Sequence, residues 1–337
     1  MSKFRIVTIA FFFFIVLACN QQEKSEYIFI EGFTQGTSYH ITYKTNKKRN
    51  FKKEIESIFT NIDSNFSLYV PSSVISRINK NDTSVIVDDF FKTVFNRAIE
   101  IAQVTHAAFD ITVAPLVNAW GFGFTEKLKV DSLLIDSLLQ FVGIEKVKLV
   151  ENKIIKENER VMLDLNAIAQ GYSVDVVSDF LEKKRIHNYL VEVGGEVKTK
   201  GKNRNGENWR IGIDKPIENT NEFTRELQTV LQLSNKSLAT SGSYRRFYEE
   251  NGVKFSHTID PKTGYPVKHS LLSVTVIAND CMTADAYATA FMVLGLDESI
   301  KIVDKNNEME AYFIFSDEEE EFKTYFTKGI SKLIIVN

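Results

Sequence analysis

The stretch Ala167–Lys200, AIAQGYSVDVVSDFLEKKRIHNYLVEVGGEVKTK, decides the fold class. Its first part reads as a helix from about Ala167 to Lys184. Its second part reads as strands around Tyr189 to Lys200, with Gly194-Gly195 at a strand end. The same grammar recurs outward in both directions. Tyr27 to Tyr43 alternates around Gly32 and Gly36 as a β-hairpin, and Val147–Glu151 with Lys153–Lys156 forms a hairpin about Asn152. Helical spacing marks Lys52–Phe66, through Ile55, Ile58, Phe59 and Ile62, and Asp88–His106, through Phe91, Val94, Phe95, Ala98, Ile99 and Ala102. Asp131–Phe141 and Thr283–Leu294 are further helices. Strands are expected at Trp209–Ile213, Thr229–Leu233, Phe255–Ile259 and Leu272–Ile277, and at the end of the chain. Strands that pair as hairpins between helices, without strict βαβ alternation, predict an α+β fold with mostly antiparallel strands. No linker and no fixed-period repeat divides residues 27–337, which are expected to form one domain.

Composition bounds the function. The chain has 337 residues, 44% of them hydrophobic and 25% charged, which is enough apolar material for a core. The net charge is −3, which argues against a nucleic-acid binder. Cys19 and Cys281 are the two cysteines, too few for a disulfide scaffold or a cysteine zinc site. At the N-terminus, Lys3 and Arg5 precede an apolar run from Ile6 to Leu17 that is short for a bilayer span. It ends at Val16-Leu17-Ala18-Cys19, which resembles a bacterial lipobox. Residues 1–18 are therefore expected to be a lipoprotein signal peptide, Cys19 the lipidated residue, and 19–26 a polar tether. The globular part is placed in the cell envelope, anchored to a membrane and facing the periplasm; the plainer reading is an uncleaved anchor. Cys281 then reads as a small core residue.

Four clusters carry candidate chemistry, one of them a set of aromatic and glycine segments (Ser67–Tyr69, Phe109–Pro115, Trp120–Gly123, Gly194-Gly195 and Ser241–Tyr244) that either stack on a planar heterocycle or are plain core and turns. In Thr283-Ala284-Asp285-Ala286-Tyr287-Ala288-Thr289-Ala290, Thr283 suits an N-cap and Gly295 a C-cap. Asp285 falls in the first turn, and Asp285 and Thr289 share a face, a partial set of hard oxygens suited to Mg²⁺. Alternatively, Asp285 only helps to cap its helix and Thr289 bonds back to a carbonyl. Leu163-Asp164-Leu165-Asn166-Ala167-Ile168-Ala169-Gln170-Gly171-Tyr172 runs from a strand into a helix, and its small residues permit close approach of a bulky group or of a sheet. Ser256-His257-Thr258-Ile259-Asp260-Pro261-Lys262-Thr263-Gly264 is a strong turn signal with a histidine upstream. His257 is either a base near neutral pH or an ordinary half-buried histidine. The remaining histidines show no ligand spacing with it, and neither a Walker loop nor a G-x-G-x-x-G motif occurs.

Taken in order, the segments resemble a known family. A Gly-Thr hairpin is followed by Ser67-x-Tyr69, Phe109-Asp110-x-Thr112 and Asp164-Leu-Asn-Ala-Ile-Ala-x-Gly-Tyr172. Gly194-Gly195, Thr240-Ser-Gly242, His257-x-Ile-Asp-Pro-x-Thr-Gly264 and Thr283-Ala-Asp-Ala-x-x-Thr-Ala290 complete the series. It looks like the ApbE family of FAD-dependent protein FMN transferases, matched from about Gly32 to Gly295.

The resemblance implies a T-fold-like α+β domain and a reaction in which FAD is split and FMN is joined through a phosphoester to a Ser or Thr of a target protein, releasing AMP. It implies acceptor subunits of Rnf- or Nqr-type redox complexes. It places Mg²⁺ on Asp285, Thr289 and the Ala167 carbonyl, and FAD on Tyr69, Ala108, Phe109, Asp110, Asp164, Gln170 and Ile259. His257 matches the histidine that takes the acceptor's proton. Three positions depart from the family pattern: Gln35 where many members carry Met, Gln170 where Lys or Glu is usual, and Ala288 where some carry an acid. An FAD pyrophosphatase using water, or a non-catalytic FAD-binding lipoprotein, remain alternatives; a binder alone needs neither His257 nor Asp285 with Thr289.

Overall fold

The computed structural model describes residues 26–46, 49–123, 127–217, 224–243, 247–250, 253–319 and 321–335. The predicted signal peptide and the lipidated Cys19 lie outside them. In chain order the elements are β1 (Glu26–Thr34), β2 (Thr37–Thr45), α1 (Lys52–Phe66), α2 (Val74–Asn79), α3 (Asp89–Val104), α4 (Ala114–Ala119) and α5 (Ser132–Leu139). Then come β3 (Val147–Val150), β4 (Lys153–Lys156), α6 (Asn166–Lys183), β5 (Tyr189–Val193), β6 (Glu196–Lys200), β7 (Trp209–Asp214), β8 (Leu227–Leu233) and β9 (Lys236–Gly242). The chain closes with β10 (Phe247–Glu250), β11 (Val253–Ser256), β12 (Leu271–Ala278), α7 (Cys281–Leu294), α8 (Leu296–Val303), β13 (Glu310–Ser316) and β14 (Phe322–Phe326).

An eight-stranded sheet in the order β1-β2-β5-β6-β9-β12-β13-β14 organises the chain. Every pairing within it is antiparallel, which bears out the α+β expectation. Its middle contains the β5-β6 hairpin, followed by β9 and β12, which pair across a longer connection. Gly194 and Gly195 turn β5 into β6 with φ of 61° and 107°, the left-handed region where glycine is the least strained residue.

The main core lies where α3, α6 and α7 pack on β9, β12 and β13, and includes Phe91, Phe95, Ile168, Ala284, Ala288, Phe291, Val274 and Phe313. A second cluster joins α1 and α6 to β2 and β5 through Phe59, Val177, Leu181, Ile41 and Val191. Leu-, Ile- and Phe-sized groups in such clusters each gain ~1.5–3 kcal/mol on burial. Helix α6 contributes to both clusters and crosses α7, so the two helices that carry the predicted cation ligands sit at the centre of the packing.

Candidate active site

The site begins at the crossing of α6 and α7. Gly171 has no side chain, and the crossing needs that: a Cβ there would lie 2.5 Å from the Cys281 carbonyl oxygen and 2.8 Å from the Asp285 Cβ. The Gly171 N–H donates to Asp285 Oδ2 at 3.0 Å. In a regular helix that amide serves the carbonyl four residues back, which is Ala167. Ala167 itself has non-helical angles, φ −80° and ψ 15°. Together these features loosen the Ala167 carbonyl from the helical ladder.

The exchange runs both ways. The Cys281 N–H donates to Asp175 Oδ1 at 3.0 Å and the Met282 N–H to Asp175 Oδ2 at 2.9 Å. Lys198 Nζ closes an ion pair with Asp175 Oδ1 at 2.8 Å. Helix α6 thus gives one backbone amide to a carboxylate of α7, and α7 gives two to a carboxylate of α6. The N-cap of α7 is Asp280, whose side chain accepts from the Thr283 N–H, so the expectation that Thr283 caps this helix is corrected. Asp285 consequently sits beyond the first turn. Its partner is an amide of α6, not the end of its own helix.

Burial pushes the Asp285 carboxyl up to about 7, against the one hydrogen bond from Gly171. Glu196, at the start of β6, is also buried, and burial followed by the Asp285 charge raises its carboxyl well above the usual range. Gln170 Nε2 donates to Glu196 Oε2 and, at 3.1 Å, to the Val193 carbonyl. The Thr289 hydroxyl meets Ser241 Oγ at 3.2 Å. It does not bond back to a carbonyl of its helix, so the plainer reading of Thr289 falls away. Among the described residues no group of three or more His, Cys, Asp or Glu side chains could hold a metal ion. A cation here would need a mixed set. Asp285 Oδ1, which receives no donor among the described residues, the Thr289 hydroxyl and the loosened Ala167 carbonyl are hard oxygens that fit Mg²⁺.

A second wall comes from the strand-like segment that leads into α6. The Asp164 N–H donates to the Ile111 carbonyl at 2.7 Å, and Val113 bridges Met162 in parallel. Residues 108–112 therefore run beside Asp164, so two segments expected on FAD are neighbours. Asp110 Oδ1 accepts from the Thr112 N–H at 2.7 Å and the Thr112 hydroxyl at 2.6 Å, and Asp164 Oδ1 from the Asn166 N–H at 2.8 Å. Burial pushes both carboxyls up. Ala108 and Phe109 are buried, the Phe109 ring belongs to the main core, and their N–H groups donate to the Thr105 carbonyl at 3.1 Å and the Thr105 hydroxyl at 3.3 Å.

His257 follows β11 directly, with its ring 6.3 Å from and edge-on to Phe122. The turn beyond it is fixed by the Gly264 N–H donating to the Asp260 carbonyl at 2.8 Å and by Trp120 Nε1 donating to the Gly264 carbonyl at 2.8 Å. Ile259 is buried with Trp120, Leu116 and Ile135, where it positions the turn. Tyr69 lies between α1 and α2 and is 70% exposed, open to a ligand.

Asp175, Glu196 and Ser241 were not singled out for these roles by the sequence. Glu196 follows Gly194-Gly195, a visible turn signal, but nothing local puts its carboxylate beside Gln170. The departures from the family pattern also have places. The Gln170 amide is taken up by protein groups. Gln35 Oε1 accepts from Ser173 Oγ at 3.3 Å, while its Nε2 is buried without a partner among the described residues. Ala288 is fully buried in the main core.

The model of the ApbE family matches residues 35–313. The chain belongs to the ApbE family. Among curated ApbE relatives, the FAD:protein FMN transferase of Haemophilus influenzae is 40% identical over 301 residues, covering 85% of this chain and 86% of the relative. The Escherichia coli protein of the same name is 30% identical, covering 99% and 97%. Among solved ApbE structures, the flavin transferase from Vibrio cholerae superposes with a TM-score of 0.83 at 34% identity, covering 92% of this chain and all of that one. The Thermotoga maritima protein gives 0.79 at 29% identity, covering 91% and 99%.

Proposed function

We propose that the chain is an FAD:protein FMN transferase that splits the pyrophosphate of FAD, joins FMN to a Ser or Thr hydroxyl of a target protein, and releases AMP. The observation that carries this reading is the buried Asp285, held by an α6 amide with one carboxylate oxygen that takes no donor among the described residues, in a chain similar throughout its length to proteins of that name. Asp285, Thr289 and the Ala167 carbonyl would hold Mg²⁺. When bound, that cation supplies neutralising charge for the phosphates of the substrate. His257 removes the proton from the acceptor hydroxyl; its oxygen forms the new bond to the FMN phosphorus as the bond to AMP breaks. The backbone of Ala108–Asp110, with Asp164 beside it, lines the place for the dinucleotide, and Tyr69 offers it a ring face.

The lipobox-like Val16–Cys19 supports a lipid-anchored enzyme facing the periplasm, with acceptor subunits of Rnf- or Nqr-type complexes as partners. Incubating the chain from Gln21 with FAD, Mg²⁺ and an acceptor domain tests the activity. Covalently flavinylated acceptor with one AMP per flavin is expected, and chelation should abolish both. Free FMN with no labelled protein would make water the acceptor, and unchanged FAD would leave binding alone.

A further inference from the structure

Far from the candidate active site, the start of the described chain meets a basic cavity. Glu26 pairs with Thr45 across β1 and β2. Thr45 and its neighbours form part of a cavity of about 570 Å³ whose lining carries Lys44, Arg49, Lys183, Lys184 and Arg185. No ion pair to a carboxylate engages any of these five side chains among the described residues. The cavity has a fixed frame. The Tyr43 hydroxyl donates to the Arg49 carbonyl at 2.7 Å and accepts from the Phe51 N–H at 3.0 Å. Phe51 packs edge-to-face on Phe180 at 5.5 Å, and Lys184 Nζ lies 5.2 Å from the centre of the Phe180 ring. Arg185 adopts φ +63° just past the end of α6, where glycine is the usual and least strained residue. The fold thus holds a cation where backbone strain argues against one.

Two elements tie this cavity to the candidate active site and set their separation. Helix α6 has Ala167 and Gln170 near its first turn and Lys183 at its last, and its 18 residues span about 27 Å. Strand β2 agrees: Thr45 is at the cavity, while Thr37 at its other end lies with Gln170 against Gly194. The two places therefore face opposite ends of the domain.

We propose that this cavity docks the domain on anionic phospholipid, its cations taking headgroup phosphates while the candidate active site points away from the bilayer by the length of α6. The proposal rests on the lipid-anchored reading of Cys19. The tether between Cys19 and Glu26 reaches at most about 25 Å, so it delivers this end of β1 to the lipid surface. It fixes distance but leaves the domain free to rotate. A cluster of cations with no carboxylate partner among the described residues, beside the exit point, selects the face that meets the negatively charged surface, and lipid chain and basic patch act together.

The test uses the chain from Gln21, which has no lipid. It should sediment with phosphatidylglycerol vesicles at low salt, and not with phosphatidylcholine vesicles or at high salt. Combined Lys44→Glu, Arg49→Glu, Lys183→Glu and Arg185→Glu should weaken vesicle binding about tenfold or more, with FMN transfer to a soluble acceptor unchanged. Equal binding by the two chains, or displacement by inorganic phosphate at matched phosphate concentration, would overturn the proposal. Mass spectrometry of the full chain and its Cys19→Ser variant reads lipidation separately. Absence of lipid on Cys19 together with charge-dependent vesicle binding would remove the anchor and leave the docking face standing.

Discussion

Gly171 and Asp285 meet where two helices cross: the amide of one donates to the carboxylate of the other at 3.0 Å, with no room for a methyl group between them. Gly171→Ala forces the new Cβ into the Cys281 carbonyl and the Asp285 Cβ, so the helices separate or tilt. Overpacking of this kind costs ~1–3 kcal/mol. Thermal unfolding should show that loss, and Mg²⁺-dependent FAD cleavage should fall with it because Asp285 moves with α7.

Asp285→Asn keeps the shape of the side chain and can still accept the Gly171 hydrogen bond, but removes the charge that would attract a divalent cation. The fold should persist. FAD cleavage and FMN transfer should both drop by about 100-fold or more, by analogy with lost metal-ligand support. Circular dichroism and AMP release measured side by side check this.

His257→Ala separates chemistry from binding. Loss of a positioned base costs ~10²–10⁴-fold in rate, so transfer to a protein hydroxyl should fall that far while FAD affinity, read by flavin fluorescence, changes little. Equal loss of both would remove the assigned role.

Asp175 receives two α7 amides and the Lys198 ammonium in a buried setting. Asp175→Ala leaves that ammonium and both amides unpaired, and breaking a buried pair in this way costs ~3–5 kcal/mol. Denaturant unfolding should show a loss of that size. Asp175→Asn with Lys198→Met should recover part of it, because no buried charge is then left alone.

Burial first, and then the hydrogen bond to and charge of Glu56, push the Tyr39 hydroxyl up to about 12. The folded state therefore keeps its proton between pH 10, the ordinary value, and pH 12, where the unfolded chain loses it. Stability falls as pH rises through that window. A pH series of unfolding midpoints should show a shallower alkaline decline for Tyr39→Phe than for the parent chain.

Local pattern was legible, and distant pairing was not. The apolar spacing of Lys52–Phe66 gave a helix with those bounds, and the alternation about Asn152 gave β3 and β4, because both signals are contained within a few residues. The face shared by Asp285 and Thr289 was readable for the same reason. The start of α7 was misplaced because Thr283 and Asp280 are both good caps and the sequence does not say which one closes the turn. Strand β9 went unread, its small and polar residues lacking clear alternation, although Ser241 on it meets Thr289. No local pattern marks Asp175 or Glu196. Their importance comes from residues far along the chain that only the assembled sheet and helices bring near.

The mutual exchange between α6 and α7 has a further consequence for how this chain can change length. Gly171 and Asp175 are one turn apart, as are Cys281 and Asp285, and the two intervals are read against each other. Adding or deleting a single residue inside either interval rotates one partner by about 100° and undoes both sets of bonds at once. Insertions belong instead in stretches such as 202–208, between β6 and β7, where no helix has to keep in phase with another.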